Sequence, residues 1–193
     1  MKYDKDYFNT KNYKNYLERK DRYFKMAEEL YQSFYKIGLL DKNTKILDYG
    51  CAVGFLIKGF ENLGFNNVYG YDISDWAIKQ AKKLNCKILD ELDKHYDLGI
   101  FLDVLEHMTD NEILKVFNET NFNYIIVRIP CSHESDPNNF YLDISKIDET
   151  HINCKTPIKW IDFFDKLGYN RYFKLNMTTI YNSDGCFCYL FIK

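Results

Sequence analysis

The feature that most constrains this chain is an alternation beginning at Lys45, in which short apolar runs are each followed by a stretch with the three-four spacing of an amphipathic helix. "KILDY" leads into "GFLIKGFENLG", and "NVYGYD" into "DWAIKQAKKLN" with Ser74 as its N-cap. "CKIL" and "DLGIFLD" precede "DNEILKVFNE", entered through Thr109 with Glu112 three residues on, the capping-box pattern. "NYIIVRIP" is followed, after an irregular stretch, by "PIKWIDFFDKLG", with Thr156 as N-cap and Pro157 at the first helical position. Two last strands, "NRYFKLN" and "CFCYLFI", come in succession around the turn signal "NSDG". Strands alternating with helices imply a parallel sheet covered on both faces, and right-handed crossovers leave few topologies. The expectation is an α/β, doubly wound, mostly parallel seven-stranded sheet with an antiparallel edge. Ahead of it, Leu17, Phe24, Ala27, Leu30, Tyr31 and Phe34 predict a helix within Asn12 to Ile37, stopped by Gly38.

A chain of 193 residues, 46% of them hydrophobic, is read as one domain spanning 1–193, with an N-terminal helical lid at 1–40 and a core at 41–193. A formal net charge of −2 argues against electrostatic binding of nucleic acid, and no duplex partner is expected. No apolar run has the length of a membrane span, and "MKYDKDYFNTKNYKNYLERK" is too polar for a secretory signal, so a cytoplasmic protein is expected. Cysteines stand at 51, 86, 131, 154, 186 and 188 without a CxxC pair or paired Cys/His spacing. Reduced, mostly buried thiols are therefore expected, and no metal.

In such sheets ligands sit beyond the carboxyl ends of the strands, so the useful residues lie at 48–54, 72–75, 89–91, 103–107 and 130–133. The turn in "KILDYGCAVG" is not a P-loop, because Phe55 and Leu56 follow Gly54 where Lys-Ser or Lys-Thr is required. Nor does it fit the dinucleotide pattern G-x-G-x-x-G, whose positions here hold Gly50, Ala52 and Phe55. Asp48 would repel a pyrophosphate but pair with an ammonium, while Gly50 and Gly54 let the main chain approach a small ligand. Asp72, ending the second strand, is placed to accept both hydroxyls of a ribose, through charge-assisted bonds of roughly 1.5–3 kcal/mol each. A nucleoside carrying an ammonium instead of phosphates describes S-adenosyl-L-methionine. Taken singly, Asp48 reads equally as a solvated strand-end acid, Gly50 as an ordinary turn, and Asp72 with Ser74 as a helix cap.

Together these residues carry a resemblance. "KILDYGCAVG" resembles the first motif of the class I S-adenosylmethionine-dependent methyltransferases, commonly D-x-G-C-G-x-G, and "YGYDIS" their second-strand acidic motif. "YDLGIFLDVLEHM" is similar to their fourth-strand motif, "YIIVRIP" to their fifth strand, and "HINCKTPIKWIDFFDKLGY" to a later segment, all in the family's order. The resemblance implies a Rossmann-like fold and S-adenosyl-L-methionine as cofactor. Asp48, Gly50, Cys51 and Gly54 would line its methionine end, Asp72 its ribose, and Asp90 its adenine amino group. Ile73 would pack on the adenine ring, with a buried helix-entry residue as the equal alternative. Asp103 is grouped with these cofactor residues, and it and Glu106 are also candidates to orient a histidine or the substrate. Ala52 stands where the family usually has glycine; alanine does not readily take a positive φ, so this position departs from the pattern.

The reaction implied is displacement at the sulfonium methyl, with a nearby base for an acceptor that must lose a proton. His95 reads as a surface residue. His107, His133 and His151 are the candidates for the acceptor side, His107 foremost, each weighed against a purely structural histidine. Tyr3, Tyr7, Phe8 and Tyr13 precede the first helix; Tyr7 and Tyr13 are lid candidates, and aromatics pinning that helix are the alternative. The leading function is methyl transfer to an oxygen or nitrogen of a small molecule. The alternatives are a non-catalytic S-adenosylmethionine-binding partner or sensor and, less favoured, a nicotinamide-dependent oxidoreductase.

Overall fold

The computed structural model describes residues 3–9, 15–180 and 182–193. The chain divides into two compact units: Met1–Leu92 with Met177–Thr179, and Asp93–Asn176 with Ile180–Lys193.

In the first unit, helix α1 (Lys20–Tyr35) precedes strand β1 (Ile46–Tyr49), helix α2 (Phe55–Asn62), strand β2 (Val68–Tyr71) and helix α3 (Asp75–Lys83). The first helix is shorter than its apolar periodicity predicts. Residues 16–18 form a 3-10 turn entered through Asn15 at φ 59°, a left-handed residue that breaks the α-helical path before Lys20. Gly38, at φ 73°, closes the far end, its N–H donating to the Tyr35 carbonyl at 3.1 Å. Strands β1 and β2 pair in parallel, Asp48 opposite Gly70. All four β1 residues are buried, as a strand covered on both faces requires. Helix α3 starts as expected: Ser74 Oγ accepts from Ala77 N at 3.1 Å, Asp75 lies in the first turn, and Lys82 and Lys83 in the last.

The second unit holds strand β3 (His95–Leu102), helix α4 (Asp110–Glu119), strand β4 (Asn121–Pro130), strands β5 (Ser132–His133) and β6 (Asp136–Phe140), helices α5 (Asp143–Lys146) and α6 (Pro157–Lys166), and strands β7 (Arg171–Lys174) and β8 (Cys186–Ile192). β3 and β4 are parallel, β8 runs antiparallel to β4, and β7 antiparallel to β8. Leu98, Ile100 and Phe101 of β3 and Ile125, Ile126 and Val127 of β4 are inaccessible to solvent. The Thr109–Glu112 capping box is formed in both directions, and Thr156 caps α6 with Pro157 next to it. The stretch after β4 is more regular than its sequence suggests, since β5 and β6 make a small antiparallel sheet.

The architecture is α/β and Rossmann-like, with parallel strands, flanking helices and an antiparallel edge. Among the described residues six strands make its main sheet, not the seven expected. "CKIL" supplies the missing one: it contributes only an isolated parallel bridge, Gly70 to Ile88. Two backbone bonds flank that bridge, Gly70 N to Lys87 O and Leu89 N to Gly70 O, both 2.9 Å, and the polar run "DELDK" then leaves the sheet. All six cysteines are free thiols. Among the described residues no helix is long and apolar enough to cross a membrane.

Candidate functional site

The turn after β1 is wound left-handed. Gly50, Ala52 and Gly54 have φ values of 77°, 47° and 81°. Ala52 therefore adopts the conformation that its side chain disfavours, and Asp72 fastens it there: Ala52 N donates to Asp72 Oδ2 at 2.8 Å. The other Asp72 oxygen accepts from Ser74 N at 2.8 Å, tying the same carboxylate to the start of α3. Gly50 N and Cys51 N both donate to the Tyr71 carbonyl, at 2.7 and 3.1 Å. Gly54 is required for a second reason: a Cβ there would lie 2.6 Å from Cys86 Sγ.

Two carboxylates thus share one turn. Asp48 is buried, and burial followed by repulsion from Asp72 pushes its carboxyl up to about 8. Burial also raises Asp72, against the lowering effect of its backbone donors. The buried Cys51 thiol is pushed up by burial and then by these carboxylates, so it is inert as a nucleophile. Ile73, directly after Asp72, is 63% exposed. The buried helix-entry alternative for Ile73 is therefore excluded, and an uncovered apolar side chain adjoins the acid. Asp90 is exposed just beyond the Gly70–Ile88 bridge.

The N-terminal segment packs on this turn. Phe8 and Tyr16 are buried in one cluster with Ala52, Val53, Phe55 and Ala77, and the Phe8 ring stacks on Trp76 at 5.1 Å. Tyr7 borders the cluster, and Ser74 Oγ donates to the Tyr3 carbonyl at 2.5 Å. Tyr13 lies outside the described residues.

In the second unit, β3 also ends in a left-handed residue, Asp103 at φ 55°. Its N–H donates to the Arg128 carbonyl at 2.8 Å, and the Arg128 guanidinium grips both oxygens of its carboxylate, Nε at 2.9 Å. That pairing holds the turn in place. The 3-10 turn Leu105–His107 follows, and Glu106 lies wholly inside the protein. Ile152 N and Asn153 N both donate to the Glu106 carbonyl at 2.9 Å, which brings His151 beside it.

His107 and His151 meet there, with ring centroids 4.7 Å apart. Their Nε2 atoms lie 3.8 and 3.9 Å from the same oxygen, Glu106 Oε1. Burial and the neighbouring His151 hold the His107 imidazole down at about 4, so it is neutral near pH 7. Burial also lowers His151. Burial, followed by repulsion from Asp103, raises Glu106. The His151 side chain is thus enclosed, only 6% exposed. His133 does not join this pair: it is exposed on β5, its Nδ1 bonded to Ser135 Oγ at 2.8 Å. His95 is exposed, as its polar surroundings suggest.

Sequence reasoning found each member of this group singly and missed its convergence. Thr150 and Asp148 were not singled out, yet Thr150 Oγ1 lies 2.9 Å from His107 Nδ1 and donates to Asp148 Oδ1 at 2.5 Å. The separation in sequence, 43 residues between His107 and Thr150, leaves no local signal to read.

Comparison with known proteins gives these residues a context. A family model described as a methyltransferase domain matches residues 18–170. No curated protein matches the chain. Among solved structures, the chain is similar to a magnesium protoporphyrin IX methyltransferase from Synechocystis PCC 6803 with bound S-adenosylmethionine, at TM-score 0.60 and 17% identity, covering 97% of this chain and 94% of that one. It is also similar to a SAM-dependent methyltransferase from Archaeoglobus fulgidus, at TM-score 0.64 and 15% identity, covering 92% and 99%. A third is the plantazolicin methyltransferase BpumL in complex with SAH, at TM-score 0.60 and 16% identity, covering 97% and 92%.

Proposed function

Because this chain belongs to the methyltransferase-domain family, we propose that it moves the methyl group of S-adenosyl-L-methionine to an oxygen or nitrogen of a small-molecule acceptor. The observation that carries this reading is the acid pair Asp48 and Asp72 on a left-handed glycine turn, with Ile73 uncovered beside it. A buried and a half-buried carboxylate that repel each other are relieved by a ligand bringing positive charge, and a pyrophosphate would aggravate them. In this reading Asp48 accepts from the ammonium of the methionine end, and Gly50, Cys51 and Gly54 supply the close backbone. Asp72 has lone pairs left for ribose hydroxyls after serving Ala52 and Ser74. Ile73 covers the adenine ring, Asp90 meets its amino group, and the Tyr3–Asn9 segment acts as the lid over the turn.

The chemistry needs little from the protein except position. The acceptor's lone pair forms the new bond to the methyl carbon, the C–S bond breaks, and its electrons return to sulfur, leaving S-adenosylhomocysteine. Holding the two reactants in line is worth roughly 7–11 kcal/mol. The acceptor side draws on His107, His151 and Glu106, with His133 as an exposed accessory; Asp103, paired to Arg128, shapes their turn.

Calorimetric titration with S-adenosylmethionine and with NAD tests the donor, followed by methyl release from labelled donor across an acceptor panel. Binding of S-adenosylmethionine but not NAD is expected, and NAD binding alone overturns the reading. Tight donor binding with no transfer to any acceptor favours the sensor alternative. Asp72→Ala should weaken donor affinity by about tenfold or more, equivalent to about 1.4 kcal/mol, with unchanged circular dichroism. An unaltered Kd removes Asp72 from the ribose role.

A further inference from the structure

We propose that Glu106, His107 and His151 bind a divalent transition-metal cation. The argument starts from an imbalance of donors and acceptors. Both carboxylate oxygens of Glu106 are buried without a hydrogen-bond partner, an arrangement that costs several kcal/mol if left uncompensated.

The two imidazoles do not supply the missing donors. His151 Nδ1 lies 3.0 Å from the Ser145 carbonyl, which can only accept, so Nδ1 carries the proton and Nε2 the lone pair. His107 Nδ1 lies 3.2 Å from the Thr150 carbonyl and 2.9 Å from Thr150 Oγ1, whose own proton goes to Asp148. Its Nδ1 is likewise the protonated nitrogen. Both Nε2 lone pairs therefore face Glu106 Oε1, at 3.8 and 3.9 Å, and that of His151 also lies 3.7 Å from Asp148 Oδ2. Three electron-pair donors converge on one point.

A cation resolves this. Ligand atoms each about 2.1 Å from a common ion lie roughly 3–4 Å apart, as Glu106 Oε1 does from each Nε2. One ligand atom from each of the three residues falls within 4.8 Å of the others. The Nδ1–H bonds to Ser145 O and to Thr150 are the outer contacts that fix the tautomer and orientation of metal-ligating histidines. Two imidazoles and a carboxylate suit first-row transition ions of borderline softness better than calcium. Asp103, whose carboxylate is gripped by Arg128, is not among the three residues whose ligand atoms converge.

Where the methyltransferase reading also holds, the ion acts as a Lewis acid that acidifies an acceptor hydroxyl, whose proton leaves to solvent as its oxygen takes the methyl group, and the acceptor atom is then oxygen. His107 and His151 are in that case ligands and not bases.

The test strips the full chain with a chelator and titrates it with Co(II), read by calorimetry, visible absorption and melting temperature. One ion per chain and a raised Tm are expected. Glu106→Gln and His151→Gln should each weaken uptake by about tenfold or more at unchanged circular dichroism. Asp72→Ala should leave Co(II) uptake intact, which separates failure of this site from failure of the donor site. No uptake by the unsubstituted protein overturns the proposal, as does uptake that both variants retain. A thiolate-to-cobalt absorption band abolished by Cys186→Ser also overturns it, placing the ion on the Cys186–Cys188 sulfur pair, 3.6 Å apart. If Glu106→Gln does not fold, His151→Gln decides alone.

Discussion

The two turns that follow β1 and β3 solve the same problem with different materials. Each places a non-glycine residue in the left-handed region, Ala52 at φ 47° and Asp103 at φ 55°. Each is locked by a carboxylate: Asp72 accepts from the Ala52 backbone, and the Asp103 side chain is gripped by Arg128. They differ in what is left over. After β1 the acid that does the locking is itself satisfied by two N–H groups, and Ile73 beside it is uncovered. After β3 the locking ion pair is satisfied, while Glu106 three residues on is buried with no donor for either oxygen. Backbone strain at a strand end fixes the aim of side chains, and the unsatisfied groups it leaves show what the turn is aimed at.

The sharpest way to break this account of the first turn is Gly54→Ala. The position has φ 81°, and a Cβ would stand 2.6 Å from Cys86 Sγ and 3.2 Å from Ala81 Cβ. The left-handed penalty and the overpacking together amount to roughly 3 kcal/mol, or a Tm lowered by about 6–12 °C. Thermal unfolding measures this directly. A fall under about 2 °C would mean that the turn yields easily and is not a fixed cradle.

How far the sequence reveals each turn follows from the same contrast. The first is local: Asp48, Gly50 and Gly54 lie within seven positions, and Asp72 closes the next strand, so spacing alone exposes the pattern. The caps at Ser74, Thr109 and Thr156 are legible for the same reason, each being a bond over three residues. The second turn depends on pairings at long range. Arg128 reaches Asp103 across 25 residues, and residues 150–153 reach Glu106 and His107 across more than 40. Cysteine and histidine spacing gave no hint of a metal because one ligand is a glutamate and the histidines come from different loops. "CKIL" reads as a strand, since three apolar residues around Lys87 cannot show that only one bridge forms. The early start of the first helix was overread because apolar periodicity does not register a left-handed residue at Asn15.

A smaller effect separates the two turns by charge. Burial and Asp72 raise the Asp48 carboxyl to about 8, from an ordinary 3.8. Between those values the folded state binds a proton that the unfolded state has released, so Asp48 makes stability fall as pH rises. The contribution is complete below about pH 4 and is lost through pH 8. Asp48→Asn removes it. The donor-free variant should therefore melt above the unsubstituted protein at pH 8, and the gain should shrink toward pH 5. The same variant should bind S-adenosylmethionine more weakly, stability and function moving in opposite directions. Parallel Tm–pH curves for the two proteins would show that Asp48 is not held in this state.

The smallest effect is the most specific to the comparison. If Ala52 is strained only to set the turn, Ala52→Gly relieves a left-handed alanine, a cost of roughly 1–2 kcal/mol. Glycine returns about 0.4–1 kcal/mol of that as unfolded-chain entropy. The alanine methyl also packs in the cluster with Phe8, Tyr16 and Phe55, and that contact is lost. The three contributions nearly cancel, so Tm should move by no more than about 2 °C. Asp103→Gly relieves the same kind of strain but also deletes the carboxylate that Arg128 holds, so no such cancellation operates there. A large loss of stability in Ala52→Gly would place the methyl, and not the left-handed backbone, at the centre of the first turn. The two strand ends would then cease to be variants of one device.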